Sequence, residues 1–289
     1  MRSGSATTAT AALNRTQQQR KGRVVSPDGT ELAFFESGEG SPLVLVHGAL
    51  GDHRRWNALR PYLEPTVTVY ALDRRGRGAS ADSPHYHVKR EFEDVAAVVD
   101  VIAGAFGASV AVLGNSYGGL VAFGAAQLTA NIDRLILYEG WPPVDADAFV
   151  PPPQALRRLE ALLAAGDREG LLETTYRELL HVSEEQLDAF RARPSWCSRV
   201  ASAHTIPREL RAFREAAFDP RQAATISAAT LLLIGEDSPG LKAQAAPVAA
   251  ALPDARLAVL PGQGHLANIL APRVFAERVL AFLQDKSSM

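Results

Sequence analysis

The segment 114–118 reads Gly-Asn-Ser-Tyr-Gly and offers a serine in a position suited to nucleophilic attack. It follows an apolar run at 109–113 and opens a helical stretch, so Ser116 falls at a tight turn between a strand and a helix. Flanking glycines leave room for such a turn, which pushes the serine hydroxyl out above the edge of a sheet. The pattern predicts that Ser116 is the nucleophile of an acyl-transfer reaction.

A serine hydroxyl is a weak nucleophile unless a base takes its proton. His265 is the candidate base, because it lies in a glycine-bearing loop directly after the last apolar run of the chain. His85 and His87 could form a metal-binding pair, but no third and fourth ligand follows at a suitable spacing. The sequence therefore predicts His265 as the general base and no metal site.

A carboxylate must hold the base in the correct tautomer and stabilise the imidazolium that forms. Asp237 follows the penultimate apolar run, and Glu139 follows the run before the long helical insertion. Both give the chain order serine, acid, histidine. We take Asp237 as the acid and keep Glu139, which is flanked by Tyr138 and Trp141, as the alternative.

Cleavage through a tetrahedral intermediate also needs two donors for the oxyanion. The backbone N–H of Tyr117, directly after the nucleophile, is one candidate. The other is the N–H of Ala49, in a loop that reads His-Gly-Ala-Leu-Gly at 47–51. The side chain of His47 is interpreted as an anchor between loops rather than as a chemical group.

The elements that must position these residues alternate between strand and helix. Short apolar runs that lack polar alternation indicate strands buried on both faces, as in a parallel sheet covered by helices. The predicted strands are 43–46, 66–72, 109–113, 132–137, 230–234 and 256–260, preceded by a hairpin at 23–37. Helices are predicted at 56–63, 90–106, 118–128, 241–252 and 272–284. The fold class is α/β, and its sites lie beyond the carboxyl ends of the strands.

One stretch, residues 141–224, breaks the alternation with helical periodicity and no strand signal. It is predicted to be a helical cap over the carboxyl edge, with Trp141, Phe149 and Trp196 as candidate pocket residues; the alternative is a helical decoration away from any site. The core domain is then 23–140 together with 225–286. Residues 1–22 are rich in Ala, Thr, Ser, Gln and Arg and are predicted to form a disordered arm.

Composition excludes several classes of function. The 289 residues carry a net charge of −2 from 30 basic and 32 acidic side chains, which gives no attraction to nucleic acid. Pairs such as Arg74-Arg75 are interpreted as solvated faces, and the loop 73–78 lacks a nucleotide-binding pattern. No apolar run could span a membrane. A single cysteine precludes an internal disulfide and is compatible with the predicted cytoplasmic location.

Together these motifs resemble the α/β-hydrolase superfamily, specifically its capped esterase- and lipase-like members. The resemblance covers roughly residues 23–284 and is carried by His47-Gly48, by 73–78, by 114–119 and by Gly264-His265. It implies an eight-stranded, mostly parallel sheet whose second strand is antiparallel, with the cap inserted after the sixth strand. The sequence departs from the family pattern at Ser238, where members usually carry the acid. Other members place the acid after the sixth strand, where this chain has Glu139.

The resemblance implies a serine hydrolase that cleaves a carboxylic ester of an apolar substrate through an acyl-enzyme, without cofactor or metal. A serine nucleophile disfavours epoxide and haloalkane chemistry, which the family performs with a carboxylate. Carbon–carbon bond hydrolysis, a lyase reaction or acyl transfer on the same residues remains an alternative, and so does a binding protein without catalysis. The expected partner is a small molecule, with no nucleic acid and no membrane span, and nothing in the sequence indicates an oligomeric state.

Overall fold

The architecture is given by a computed structural model, which describes residues 19–145 and 151–285. Eight strands form one sheet, each of them a short run with most side chains buried except at the edges. They are β1 (Arg20–Val25), β2 (Glu31–Gly38), β3 (Ser41–Val46), β4 (Val67–Leu72), β5 (Val110–Asn115), β6 (Ile132–Tyr138), β7 (Ala229–Gly235) and β8 (Ala255–Leu260).

The strand order in the sheet is β1-β2-β4-β3-β5-β6-β7-β8. β2 runs antiparallel to both of its neighbours, and all pairs from β4 to β8 are parallel. The predicted α/β sheet with an antiparallel second strand is thereby confirmed. Its parallel strands end at one edge, which brings the segments after β3, β5, β6, β7 and β8 together.

Helices cover both faces of this sheet. The core helices are α1 (Arg60–Leu63), α2 (Val88–Phe106), α3 (Tyr117–Ala125), α10 (Pro239–Ala251), α11 (Ala267–Leu270) and α12 (Pro272–Gln284). Buried side chains of α2, α3 and α10 pack on one face, and those of α1, α11 and α12 pack on the other. The single helix predicted at 56–63 is instead a 3₁₀ turn (His53–Trp56) followed by the one-turn α1.

Between β6 and β7, residues 151–224 form helices only. They are α4 (Pro153–Ala164), α5 (Arg168–Thr174), α6 (Glu184–Arg191), α7 (Trp196–Ser202), α8 (Ile206–Glu215) and α9 (Pro220–Ala223), with a π-helical turn at Thr175–Leu179 after α5 and a 3₁₀ turn at Ala203–Thr205 before α8. We call residues 151–224 the cap segment. It has a small apolar core of its own, built around Leu171, Leu187 and Trp196.

The predicted N-terminal arm needs a correction. Residues 1–18 lie outside the described part of the chain, but Arg20, Lys21 and Gly22 belong to β1 and pair with residues 34–36 of β2. A Cβ at Gly22 would overlap the ring of Phe34, so the aromatic ring packs directly on the glycine backbone. The low hydrophobicity of these residues concealed an edge strand, whose outer face needs no apolar side chain.

Within 19–145 and 151–285, no helix has the length and apolar character needed to cross a bilayer.

Candidate active site

Ser116 occupies a strained turn between β5 and α3. Its φ of 55° and ψ of −127° lie outside the ordinary regions for a residue with a Cβ. The turn depends on close backbone packing, because a Cβ at Gly118 would overlap the Val46 carbonyl and one at Gly140 would overlap that of Ser116. Only the two glycines allow the neighbouring strand ends to approach so closely.

Positive φ angles concentrate at this site. In the described residues four non-glycine residues have φ above zero, and three of them, Leu50, Ser116 and Glu139, line one cavity. Strained backbone costs stability and is retained where the surrounding structure enforces it, commonly at active sites. These three residues come from the ends of β3, β5 and β6, where the sheet topology brings them together.

His265 is held by Glu139. The Nδ1 atom of His265 lies 2.6 Å from Oε2 of Glu139, whose Oε1 accepts a hydrogen bond of 2.7 Å from the Gly235 amide. Since Nδ1 donates to the carboxylate, the neutral ring carries its lone pair on Nε2. The Glu139 side chain is fully buried, whereas that of His265 is about half exposed (46%).

Glu139 is kept ionised by these contacts. Burial alone would raise the pKa of Glu139, but the hydrogen bonds from His265 and Gly235 outweigh it and hold the pKa below its usual value. A charged carboxylate on Nδ1 favours a positive imidazolium, which is the form that His265 takes when it accepts a proton on Nε2.

The structure pairs His265 with Glu139, the alternative acid, and not with Asp237, which the sequence favoured. Asp237 is exposed, and within the described residues no hydrogen bond or ion pair joins it to His265. The turn after β7, closed by a bond from Ser238 N to Gly235 O, sends Asp237 outward and Ser238 inward. Ser238 is the smallest of the contributions that lower the pKa of Glu139, so the residue at the usual acid position of the resembling family supports the acid instead.

Tyr138 is a supporting residue that the sequence did not single out. Its hydroxyl donates to the Gly264 carbonyl and accepts from the Ala267 amide (3.2 Å), which fixes the loop on both sides of His265. Its ring also packs edge-on against Phe275 of α12. The only signal in the sequence was its position next to Glu139 at the end of β6.

The two candidate oxyanion donors lie in the same cavity as the candidate nucleophile. Ala49 and Tyr117 both line the cavity with Ser116, and Tyr117 is the first residue of α3, where a backbone N–H has no partner inside the helix. The side chain of His47 joins the loop after β3 to the loop after β4. Its Nε2 accepts a hydrogen bond from the Arg74 amide (3.2 Å), and its Nδ1 therefore donates to the Gly48 carbonyl (2.8 Å). Burial and the charge of Arg74 lower its pKa, so His47 stays neutral.

The cavity above Ser116 measures about 390 Å³ and also contains His265. Ser116 and His265 form no direct hydrogen bond in the described structure; such bonds often tighten only with substrate bound.

Trp141 contributes to the wall as predicted, Trp196 instead packs inside the cap segment against Tyr176, and Phe149 lies outside the described residues. Most of the wall is apolar and comes from the cap segment and from α10: Leu179, Leu180, Ile206, Leu210, Phe213 and Leu241.

One charged group of the cap segment reaches this cavity. Glu209 of α8 lines it and is only 4% exposed. Its Oε1 accepts from Arg74 (2.5 Å) and Arg77 (2.7 Å), both in the loop after β4. Arg74 also binds Glu91 of α2 through two hydrogen bonds. The interpretation of Arg74-Arg75 as a solvated face is wrong, since both side chains are buried in ion pairs.

Comparison with known proteins agrees with this architecture. The model of the alpha/beta hydrolase family matches residues 43–278. The chain belongs to this family. A crystal structure of an alpha/beta hydrolase from Sphaerobacter thermophilus is 35% identical, with a TM-score of 0.78 over 91% of this chain and 100% of the other.

Two curated relatives of this alpha/beta hydrolase have different activities. A 2-hydroxy-6-oxo-6-(2'-aminophenyl)hexa-2,4-dienoic acid hydrolase of Metapseudomonas resinovorans is 24% identical over 281 residues, covering 92% of each chain. A non-heme haloperoxidase of Rhodococcus erythropolis is 26% identical over 280 residues, covering 91% of this chain and 99% of the relative. Family membership therefore leaves the reaction open.

One group of potential metal ligands in the described residues lies in the loops after β3 and β4. Ligand atoms of Asp52, His53 and Asp73 lie within 4.8 Å of one another. Their lone pairs are already engaged: Asp73 accepts from the His53 amide, from its ring and from the Ala79 amide, and Asp52 binds Arg54. The group therefore holds together the loops after β3 and β4.

Replacing Glu209 by alanine is expected to lower the free energy of unfolding by about 3–5 kcal/mol, because the change leaves Arg74 and Arg77 buried without their shared partner. Urea unfolding measures the loss. The matched control is Glu160 of α4, which forms a more exposed ion pair with Arg211 of α8, and Glu160→Ala should cost under about 1 kcal/mol.

The dependence on pH identifies the cause of that loss. Burial alone would raise the pKa of Glu209, but the charges of Arg74 and Arg77 hold it below the usual 4.5. A lowered pKa in the folded state gives stability that is present above pH 4.5 and declines as pH falls toward the folded value. The difference in the free energy of unfolding between wild type and Glu209→Ala should become smaller in acid. A difference that does not change with pH would mean that the variant loses packing and not a charge interaction.

Proposed function

We propose that this protein is a serine hydrolase that cleaves a carboxylic ester of a small to medium apolar substrate. The observation that carries the proposal is the Glu139–His265 hydrogen bond, with His265 and Ser116 lining one largely apolar cavity. A buried carboxylate that orients a histidine beside a serine in a strained turn is the arrangement required for covalent acyl transfer.

In the proposed mechanism Ser116 attacks the ester carbonyl while Nε2 of His265 takes its proton. The backbone N–H groups of Ala49 and Tyr117 bind the oxyanion, and Glu139 stabilises the imidazolium. His265 then gives the proton to the departing alcohol, which leaves an acyl-Ser116 intermediate. Water, activated by His265, hydrolyses this ester and restores the serine. No metal or organic cofactor takes part.

A second candidate is hydrolysis of a carbon–carbon bond, which the Metapseudomonas resinovorans relative favours by its printed name. That relative's named substrate is a carboxylic acid. Among the described residues that line the cavity of this chain there is no lysine or arginine, and two are glutamates. A carboxylate substrate would lack a cation to bind, so the cavity supports the ester over the acid.

Two measurements on the purified protein test the proposal. The first is labelling by a serine-directed fluorophosphonate, with the modified peptide mapped by mass spectrometry; modification of the peptide that contains Ser116 is expected. The second is turnover of p-nitrophenyl esters from acetate to decanoate beside a 2-hydroxy-6-oxo-dienoic acid. Ester turnover supports the proposal, labelling with turnover of only the dienoic acid would replace it with the second candidate, and absence of labelling would favour a binding protein.

A further inference from the structure

Glu209 has one oxygen for the arginines and one without a partner. Oε1 accepts from Arg74 and Arg77, whereas Oε2 is buried and has no hydrogen-bond partner among the described residues. A buried carboxylate oxygen without a donor is costly, since it has lost its contact with water and gained nothing in return. The cost is recovered if a ligand in the cavity supplies the donor.

The neighbouring tyrosine does not supply it. Tyr86 donates its only hydroxyl proton to Glu91 (2.6 Å), so the 2.8 Å contact between the hydroxyls of Tyr86 and Tyr117 uses the proton of Tyr117. Burial raises the pKa of Tyr117, which keeps that proton in place. Thr175, another polar residue of the cavity wall, donates to the Leu171 carbonyl (2.9 Å).

The charges around Glu209 indicate which kind of ligand group could bind Oε2. Arg74 and Arg77 pair with two carboxylates, Glu91 and Glu209, so the cluster has no net charge. Two nitrogen atoms of Arg77, Nε and Nη1, have no hydrogen-bond partner among the described residues. A ligand cation near Oε2 would lose its hydration and meet the repulsion of the two guanidinium groups, and a ligand carboxylate would lose its hydration and meet the repulsion of the two carboxylates. An uncharged donor, such as a hydroxyl group, satisfies Oε2 without either penalty.

We propose that Glu209 selects the substrate: it accepts a hydrogen bond from a hydroxyl group on the otherwise apolar part of the ester and disfavours substrates that carry a carboxylate there. Glu209 lines the cavity and the terminal torsion of a glutamate is soft, so the proposal requires only that this torsion turns Oε2 toward the ligand. The inference rests on the proposed ester hydrolysis for its choice of substrate. It assigns Glu209 to recognition, since the ion pairs that hold α8 to the loop after β4 use the other oxygen.

The test measures binding rather than turnover, so it is independent of the proposed reaction. Matched p-nitrophenyl esters with acyl chains of roughly six to ten carbons, ending in a methyl, a hydroxyl or a carboxylate group, are titrated by calorimetry into the Ser116→Ala protein. At one chain length the hydroxyl ester should bind about tenfold more tightly than the methyl ester, as for a hydrogen bond to a charged acceptor. The carboxylate ester should bind most weakly at every length.

Glu209→Gln in the Ser116→Ala background assigns the preference to this residue. Its amide oxygen can still accept from Arg74 and Arg77, so its NH₂ group takes the place of Oε2 and donates instead of accepting. The hydroxyl ester should then bind about as tightly as the methyl ester, and the difference in affinity between the methyl and carboxylate esters should become smaller. The matched control Glu160→Gln removes an exposed carboxylate of the cap segment and should leave both preferences as in the parent.

Several results would overturn the inference: equal affinity for methyl and hydroxyl esters at every chain length, no measurable binding of any ester, or a preference that persists in a folded Glu209→Gln protein. The comparison of esters in the Ser116→Ala protein decides the point even if Glu209→Gln does not fold. If the binding preference stands while wild type hydrolyses no ester, the proposed function fails and the role of Glu209 remains.

Discussion

Replacing Ser116 by alanine is expected to lower kcat for p-nitrophenyl esters by at least ~10³-fold. The change removes only the hydroxyl oxygen, so the positive-φ turn, the Glu139–His265 pair and the two proposed oxyanion donors should keep their geometry. What remains is the acceleration that binding and the oxyanion donors give to direct attack by water. Initial rates across the ester series measure the loss.

Binding distinguishes a lost nucleophile from a damaged cavity. The affinity of the Ser116→Ala protein for an ester should stay within a few-fold of the wild-type affinity for a non-hydrolysable analogue of the same length, because a serine hydroxyl adds little contact area. Ser41, exposed at the start of β3 and far along the sheet from its carboxyl edge, provides the matched control, and Ser41→Ala should leave kcat unchanged. A Ser116→Ala protein with undiminished kcat would remove the serine mechanism.

The core of the fold could be predicted from the sequence because burial on both faces marks each central strand. The strands β3 to β8 are short runs of apolar residues, and their predicted positions agree with the structure to within a residue or two. Edge positions were harder: Arg20 and Lys21 carry charged side chains, Gly22 carries none, and only their pairing with β2 makes these residues a strand. An edge strand needs backbone partners more than apolar side chains, and backbone partners leave little trace in composition.

Within the site, each motif predicted where a residue lies in the fold but not which way its side chain points. Asp237 and Glu139 both follow strands that end at the same edge, so the sequence alone gave two candidates. The choice depends on the turn after β7, which exposes Asp237 and turns Ser238 toward Glu139. The conformation of this short turn decides which carboxylate contacts His265. The hydrophobic pattern of the sequence does not reveal the conformation of a turn.

The buried charges were missed for a different reason. Arg74 and Glu209 are 135 residues apart, each in a stretch that is polar and rich in charge. Adjacent arginines usually indicate a solvated surface, because a buried guanidinium is tolerated only with partners. Those partners come from α2 and from the cap segment, and their proximity exists only in the folded chain. Long-range ion pairs of this kind can be identified only from the structure.

Replacing Glu139 by glutamine is expected to lower kcat for ester hydrolysis by ~10³–10⁴-fold. The glutamine oxygen would still accept from the Gly235 amide, so its NH₂ group would face Nδ1 of His265. Nδ1 must then accept, the ring proton moves to Nε2, and the base that should take the proton of Ser116 is already protonated. The loss is in kcat, with substrate binding nearly unchanged, because the cavity wall keeps its shape.

Asp237→Asn is the matched control, since it makes the same chemical change in the carboxylate that the sequence favoured. Asp237 is exposed and forms no hydrogen bond or ion pair with His265 in the described structure, so kcat should stay within about twofold. A large loss in Asp237→Asn together with a small loss in Glu139→Gln would reverse the assignment and would mean that the loop after β8 moves toward Asp237 when substrate binds. Large losses in both would imply that the two carboxylates act in succession on one histidine, which an Asp237→Asn, Glu139→Gln double variant would reveal as non-additive losses.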